Sequence, residues 1–268
     1  MITALDHIAI AVRDLEGAVD VYRRMLGVEP DLEPGDGAAR AWFRFPNMAL
    51  ELIAPTGPGG AGDRLRAQLD AQGEGIWLLA FATPDIAAAE RLLTRRGLRA
   101  TSMGPPTEAL RLNRDDTGGV QMFVRPAGPI QLSPPIGEGP VAALDHVVVH
   151  TANVDRALAI YGAKLNLDLR LDRANEAWGV RQLFFKAGAA LVEIGASLKT
   201  PVSNDPDRFG GLAWRVSDPV AAQARMAAAG FDVSEVRQGR KPGTQVFTVR
   251  DAPGGVPTLM IQQTAEAL

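Results

Sequence analysis

The chain has 268 residues, of which 46% are hydrophobic and 22% charged, with a net charge of -3 and no cysteine. This length accommodates one large domain or two of average size. The balanced charge excludes a basic stripe for nucleic acid, and the lack of cysteine excludes a disulfide framework and thiolate chemistry. Without a secretory signal or an apolar window of about 18 residues, the sequence predicts a cytoplasmic protein that does not bind membranes.

The first predicted elements form a βαβββ module. The stretch ALDHIAIAV, residues 4–12, is apolar and rich in branched side chains, which indicates a strand. An apolar series at helical spacing then runs from Leu15 to Leu26, and Gly27 is a helix stop. Two β-rich runs, AWFRFPN and ALELIAP, follow, and PTGPGGAG is predicted to be the loop that closes the module.

Related patterns return three more times along the chain. ALDHVVVHT at residues 143–151 repeats the first strand, and the only two tyrosines, Tyr22 and Tyr161, coincide. LAFATPDIAAAERLLTRRGL from Leu79 and LAWRVSDPVAAQARMAAAGF from Leu212 form a second pair, each followed by a Gly-Gly turn. The sequence therefore predicts four modules. A Pro/Gly-rich stretch predicts a linker at 127–142 between domains at 1–126 and 143–268.

These modules resemble the glyoxalase, bleomycin-resistance and extradiol-dioxygenase superfamily, also called vicinal oxygen chelate (VOC) proteins. The resemblance rests on the opening L-D-H-[IV]-x-[IV], the helix ending L-G-[VL], and a glutamate in the ALELI or LVEI setting of the fourth strand. It covers nearly the whole chain and implies an α+β fold, with two domains whose curved half-barrel sheets each form a bowl. It implies less about the reaction, because the superfamily includes isomerases, lyases, ring-opening dioxygenases and drug-binding proteins.

The resemblance also implies metal ligands on the first and last strands of each module. At the matching positions, module one carries His7 and Glu51, and module three carries His146 and Glu193. Such ligands suit Zn, Fe, Ni, Co or Mn, but catalytic sites normally take three or more protein ligands. The matching positions of the even modules hold residues that cannot bind a metal: Leu78, Met122, Gly211 and Thr258 or Leu259.

A third ligand would therefore come from a loop, from a partner chain in a homodimer, or from modules one and three pairing with each other. A structural interpretation competes with metal binding, because a histidine at a strand start is often a hydrogen-bonded core residue. The persistence of the His and Glu pair in both odd modules indicates either a use or a structural hydrogen bond between the first and fourth strands.

Strand periodicity distinguishes the two bowls. Because residues i and i+2 share a face of a strand, His146 shares its face with His150. At the corresponding position of the first module, the face of His7 carries Ala11. His150 lies ~13 Å along the strand from His146, too far to share one metal ion. His150 is thus predicted to be catalytic or, alternatively, a satisfied histidine at the strand exit.

The second bowl is accordingly predicted to be the more polar one and to hold the active site. Arg215 has an apolar counterpart in module two, so it is predicted to bind an anionic group of the substrate. Alternatively, it is a surface cation at a strand end or the partner of a nearby acid. Phe43 and Phe45 are predicted to line the first bowl as apolar contacts to substrate.

The predicted function is that of a metal-dependent isomerase, epimerase or lyase of the glyoxalase type acting on a small oxygenated metabolite. A divalent metal would stabilise an enediolate or phenolate while Glu193 or His150 moves a proton. One alternative is a ring-cleaving extradiol dioxygenase, which suits the residues less because neither bowl supplies a second histidine. Another is a non-catalytic protein that binds a small molecule. No organic cofactor is indicated.

Overall fold

The computed structural model describes residues 1–104 and 108–263. The strands of the first half are β1 Ala4–Ala11, β2 Asp31–Glu33, β3 Ala38–Phe45, β4 Met48–Pro55, β5 Gly75–Thr83, β6 Ala100–Ser102, β7 Leu110–Leu112 and β8 Met122–Pro126. Those of the second half are β9 Ala143–His150, β10 Asp168–Asn175, β11 Val180–Ala187, β12 Ala190–Ser197, β13 Arg208–Arg215, β14 Arg237–Gln238, β15 Thr244–Val249 and β16 Thr258–Gln263.

The helices lie after the first strand of each module. They are α1 Leu15–Leu26, α3 Ile86–Arg95, α4 Val154–Ala157 and α5 Pro219–Ala228, together with α2 Gly60–Gln72, which follows β4. A π-helical stretch, Leu158–Lys164, continues α4. Each module is therefore a strand, a helix and three further strands, which confirms the βαβββ prediction and the α+β class.

The described strands form two sheets of eight with the same internal order. The first is β2-β3-β4-β1-β5-β8-β7-β6, and the second is β10-β11-β12-β9-β13-β16-β15-β14. Each sheet joins an odd module to the even module that follows it. The alternative in which modules one and three complete one sheet is therefore wrong.

The ends of the first two helices show where local sequence signals work and where they fail. Gly27 ends α1 as predicted, because its φ of 72° is left-handed and its N–H donates to the Arg23 carbonyl at 2.9 Å. The loop predicted for PTGPGGAG is wrong from Gly60, where α2 begins. Leu65 and Leu69, one helical turn apart, are buried, and this packing outweighs the poor helix propensity of the glycines.

Residues of the chain group into two compact units. The first unit comprises Met1–Ile8, Leu78–Pro129 and His146–Gly210. Within it, Arg156 donates to the fully buried carboxylate of Asp207 at 2.6 Å, and the Asp207 N–H donates to the Gly118 carbonyl at 2.8 Å.

The second unit comprises Ala9–Trp77, Ile130–Asp145 and the described residues from Gly211 on. Trp214 is fully buried against Phe45, with ring centroids 5.0 Å apart. The Pro/Gly-rich segment is anchored here, since the Ser133 N–H donates to the Arg44 carbonyl at 3.0 Å. The predicted domain boundaries at 126 and 143 stay a prediction. No helix in the described parts of the chain is long and apolar enough to cross a bilayer.

Candidate functional site

The second sheet has a buried face and a partly open face, and the open face carries the predicted site. On β11, Leu183 and Phe185 are buried, whereas Phe184 between them is only partly buried. Phe184 is the register partner of Glu193, and Glu193 is the register partner of Val148. Because register partners share a face, Glu193 lies on the open face.

His146 and Glu193 lie together on this face. His146 Nε2 is 3.1 Å from Glu193 Oε2, and each side chain is 12% exposed. The Gln182 amide donates to Glu193 Oε1 at 2.6 Å. Phe184 approaches the His146 ring edge-on, with centroids 5.8 Å apart. The arrangement is a largely buried acid–base pair whose carboxylate accepts hydrogen bonds at both oxygens.

The electrostatic surroundings keep Glu193 ionised. Burial raises the pKa of its carboxyl, but the hydrogen bond and charge of His146, the hydrogen bond of Gln182 and the charge of His150 outweigh it. The net effect is a pKa below the ordinary value of 4.5. Glu193 is therefore a carboxylate at neutral pH.

His150 occupies a niche between two glycines on the neighbouring strands. A Cβ at Gly195 would lie 3.2 Å from His150 Nδ1, and one at Gly210 would lie 2.5 Å from His150 Nε2. His150 itself is exposed at the end of β9. In the aligned modules, Ile53 and Trp77 stand at the positions of these glycines, and Ala11 stands at that of His150. In the second copy, one large side chain therefore lies between two glycines, whereas in the first copy a small alanine stands at the position between two large residues.

In the first copy, His7 is buried in the first unit with its Nδ1 2.8 Å from Asp6 Oδ2. A carboxylate beside one ring nitrogen fixes the orientation of the imidazole. The Arg125 guanidinium lies 3.9 Å from the same Asp6 oxygen. Arg125 was missed because it lies on β8, whose register against β5 only the structure reveals.

Glu51, in the second unit, is also buried, and its Oε1 lies 2.8 Å from Arg40 Nε. Arg40 also lies 3.6 Å from Glu33, so one cation serves two carboxylates. Arg40 corresponds to Gln182 of the second copy, because each lies two residues before the register partner of the glutamate. The contact between Arg40 and Glu51 was not predictable from the sequence, because it depends on the register between β3 and β4.

The prediction that Phe43 and Phe45 line the first bowl is wrong. Trp42 is the register partner of Glu51, so the neighbouring Phe43 points to the opposite face. Phe43 is fully buried beside Tyr22, at 6.3 Å between centroids, and Phe45 packs on Trp214. Both phenylalanines are core residues.

The contrast in polarity drawn from Arg215 is also wrong. Ala82 is the register partner of Arg125, so module two supplies a cation from β8 where module four supplies Arg215 from β13. Arg215 Nε lies 2.8 Å from Asp145 Oδ2, and the Asp145 side chain is 4% exposed. This contact agrees with the alternative in which Arg215 is the partner of a nearby acid.

The described donors do not fit a complete catalytic metal site. Among residues 1–104 and 108–263, no group of three or more His, Cys, Asp or Glu side chains could hold a metal ion. His146 and Glu193 contribute two donors, one fewer than catalytic centres normally take. At Glu51, the Arg40 guanidinium places a positive charge where a cation would have to bind. The ligand set that the resemblance implies is therefore incomplete within the described chain.

The duplicated βαβββ fold, with a His and a Glu repeated in its odd modules, defines a class of tandem glyoxalase-like proteins. The glyoxalase/bleomycin resistance protein/dioxygenase superfamily matches residues 6–113 and 145–248. The chain belongs to this superfamily.

Individual relatives agree with this assignment. The chain is 37% identical over 109 residues to an ethylmalonyl-CoA/methylmalonyl-CoA epimerase of Cereibacter sphaeroides. The aligned residues make up 40% of this chain and 80% of the relative. A 4-hydroxymandelate synthase variant from Streptomyces coelicolor has a similar fold, with a TM-score of 0.76, 15% identity and coverage of 98% and 94% of the two chains. A halotolerant catechol dioxygenase gives a TM-score of 0.70 at 11% identity, with coverage of 98% and 87%. These relatives are enzymes, and the last two show the fold alone.

Proposed function

We propose that the chain is an isomerase or epimerase that moves a proton at a carbon next to a carbonyl group in a small oxygenated metabolite. The carrying observation is the 3.1 Å contact between His146 Nε2 and Glu193 Oε2 on the open face of the second sheet. The sequence similarity to an epimerase supports this choice of reaction.

The step requires a base that is ionised and a second group that returns the proton. Glu193 is the base: the substrate C–H bond breaks, the proton goes to the carboxylate, and the electron pair stays on the substrate as an enolate. The lowered pKa keeps Glu193 ionised before this step. His146 and Gln182 hold the carboxylate in place through its two oxygens.

His150 is the proton donor in this proposal. It lies on the same strand face as His146 and is exposed, so its imidazolium can protonate the enolate. His150 then recovers a proton from water, and Glu193 releases the proton it abstracted to water, which restores both groups. Delivery of a proton to the opposite face of the planar enolate inverts the configuration of the carbon. The Gly195 and Gly210 niche positions the ring for this role.

The experiment follows proton exchange directly. The full chain is incubated with methylmalonyl-CoA in D2O, and incorporation of deuterium at the carbon between the carbonyls is followed by mass spectrometry. Glu193→Gln is expected to lower the exchange rate by about 100-fold or more, because it removes the base. The matched control Glu51→Gln, at the same position of the first copy, is expected to retain the rate within about threefold.

Two results would contradict the proposal. Exchange that is equally fast in Glu193→Gln would show that another group is the base. A complete lack of exchange with small acyl thioesters and 2-oxo acids would favour the non-catalytic binding protein. Elemental analysis of wild type, His146→Ala and His7→Ala tests separately for a divalent metal whose remaining ligand lies outside the described residues.

A dioxygenase is the second candidate, favoured by fold similarity over 98% of the chain to the synthase and the catechol dioxygenase. Non-haem iron oxygenases use two histidines and one carboxylate, whereas the His146 site provides one of each. Oxygen uptake with catechol and 4-hydroxyphenylpyruvate, abolished in His146→Ala, would establish this function instead.

A further inference from the structure

A partly open cavity of about 270 Å³ with a mixed polar and apolar lining lies in module two, away from any residue assigned a role above. Its lining consists of Thr101, Arg111, Leu112, Asn113, Arg114 and Gln121. All six residues belong to the first unit. Thr101 and Arg111 are register partners across β6 and β7, so their side chains share a face.

The two arginines of the cavity have no carboxylate partner among the described residues. The nearby acids Asp115 and Asp116 are held by Arg99 instead, at 3.8 and 2.8 Å. Arg111 and Arg114 are exposed. Two guanidinium charges therefore remain uncompensated at one cavity.

The polar groups of the cavity are held in position by their own turn. Arg114 Nε donates to the Gly119 carbonyl at 2.9 Å, which fixes the guanidinium and leaves its Nη groups as donors. Asn113 Oδ1 accepts from the Asp115 N–H at 2.9 Å, which leaves its NH2 group as a donor. Donors fixed in this way lose little side-chain entropy when they bind a ligand.

Module four provides a contrast at the matching turn. Arg250 corresponds to Arg114 in the repeated Arg-Asp and Gly-Gly pattern. Its Nη1 lies 2.6 Å from Asp232 Oδ1, so this guanidinium is neutralised. The uncompensated arginines are thus particular to module two and are not a property of the repeated turn.

We propose that this cavity binds the phosphate group of a small molecule. Guanidinium forks match the oxygen geometry of phosphate, and Thr101, Asn113 and Gln121 add neutral donors. The volume suits a phosphate head group with a short organic substituent better than a whole cofactor. The inference goes beyond the proposed proton transfer and does not rest on it.

The test is titration of the full-length protein with inorganic phosphate at low ionic strength, followed by calorimetry and by phosphorus NMR line broadening. Wild type is expected to bind saturably. Arg111→Gln and Arg114→Gln should each weaken binding by about tenfold, because each removes a charge-assisted hydrogen bond. The double variant should lose binding.

The matched control is Arg250→Gln, which removes the same charge from the corresponding turn and should change the affinity by less than about twofold. Circular dichroism of each variant verifies the fold. The proposal is overturned if wild type shows no saturable binding at millimolar phosphate, if the double variant binds like wild type, or if Arg250→Gln weakens binding equally. Competition by acetate as strong as by glycerol phosphate would overturn the choice of phosphate over carboxylate.

Discussion

Replacing Gly210 by alanine tests whether this glycine exists to make room for the His150 ring. The new Cβ would lie 2.5 Å from His150 Nε2, 2.8 Å from His150 Cδ2 and 2.8 Å from Val148 Cγ1. The backbone at Gly210 is outside the left-handed region, so alanine brings no backbone strain of its own. The effect of the substitution is therefore steric.

Overpacking of this kind costs about 1–3 kcal/mol of the free energy of unfolding. Gly128→Ala is the matched control, because a Cβ there meets no atom within 4 Å. The control should be neutral or stabilise by about 0.4–1 kcal/mol, since alanine lowers the entropy of the unfolded chain. Urea unfolding measures both, and the Hε1 proton of His150 in NMR spectra reports displacement of the ring.

A double-mutant cycle with His150→Ala then isolates the contact. In the His150→Ala background, Gly210→Ala should lower the free energy of unfolding by at least about 1 kcal/mol less than it does in wild type. The cost that remains is due to the contact with Val148. A coupling energy within about 0.3 kcal/mol of zero, or an effect of Gly210→Ala no larger than that of Gly128→Ala, would refute the idea of a niche built for His150.

Four further substitutions probe the two copies. The lowered pKa of Glu193 contributes stability that is present above its ordinary pKa of 4.5 and is lost as pH falls through the folded value. In urea unfolding, the difference in free energy of unfolding between wild type and Glu193→Gln should therefore shrink between pH 6 and pH 3. A difference that stays constant over this range would contradict the argument. Tyr22→Phe should lower the free energy of unfolding by about 1 kcal/mol, because the Tyr22 hydroxyl donates to the Pro253 carbonyl at 2.9 Å. Tyr161→Phe should lower it by less, since no described residue bonds to the buried Tyr161 hydroxyl. Equal shifts of the melting temperature in the two variants would contradict this expectation. Arg40→Ala should destabilise by about 1–3 kcal/mol because it removes a cation from a buried carboxylate, and an unchanged urea midpoint would show that this ion pair is not stabilising.

Much of the fold was predictable because its signals are local and repeated. The apolar series of α1, its glycine stop and the branched residues of the first strands depend on neighbours within a few positions. Four copies of one pattern then predict the module count without any knowledge of packing. The missed helix α2 is the exception, because its stability comes from buried Leu65 and Leu69 and not from its glycine-rich start.

The candidate site was predictable only in part. The persistence of a His and a Glu in both odd modules pointed to His146 and Glu193, and the structure places them 3.1 Å apart. Phe43 was assigned to the wrong face because a shift of one residue in the phase of a strand exchanges its two faces. The register of Trp42 against Glu51 supplies that phase, and it is formed between strands separated by a turn.

The sequence by itself determined the module order, the superfamily and the identity of the repeated His and Glu, because these depend on residue type and spacing along the chain. Only the tertiary structure decided which cations meet which carboxylates: Arg40 with Glu51, Arg125 with Asp6, and Arg215 with Asp145. Arg125 and Asp6, like Arg215 and Asp145, are far apart in sequence, so no local pattern encodes their contact. Sheet register brings them together, and with them the chemistry that each copy can perform.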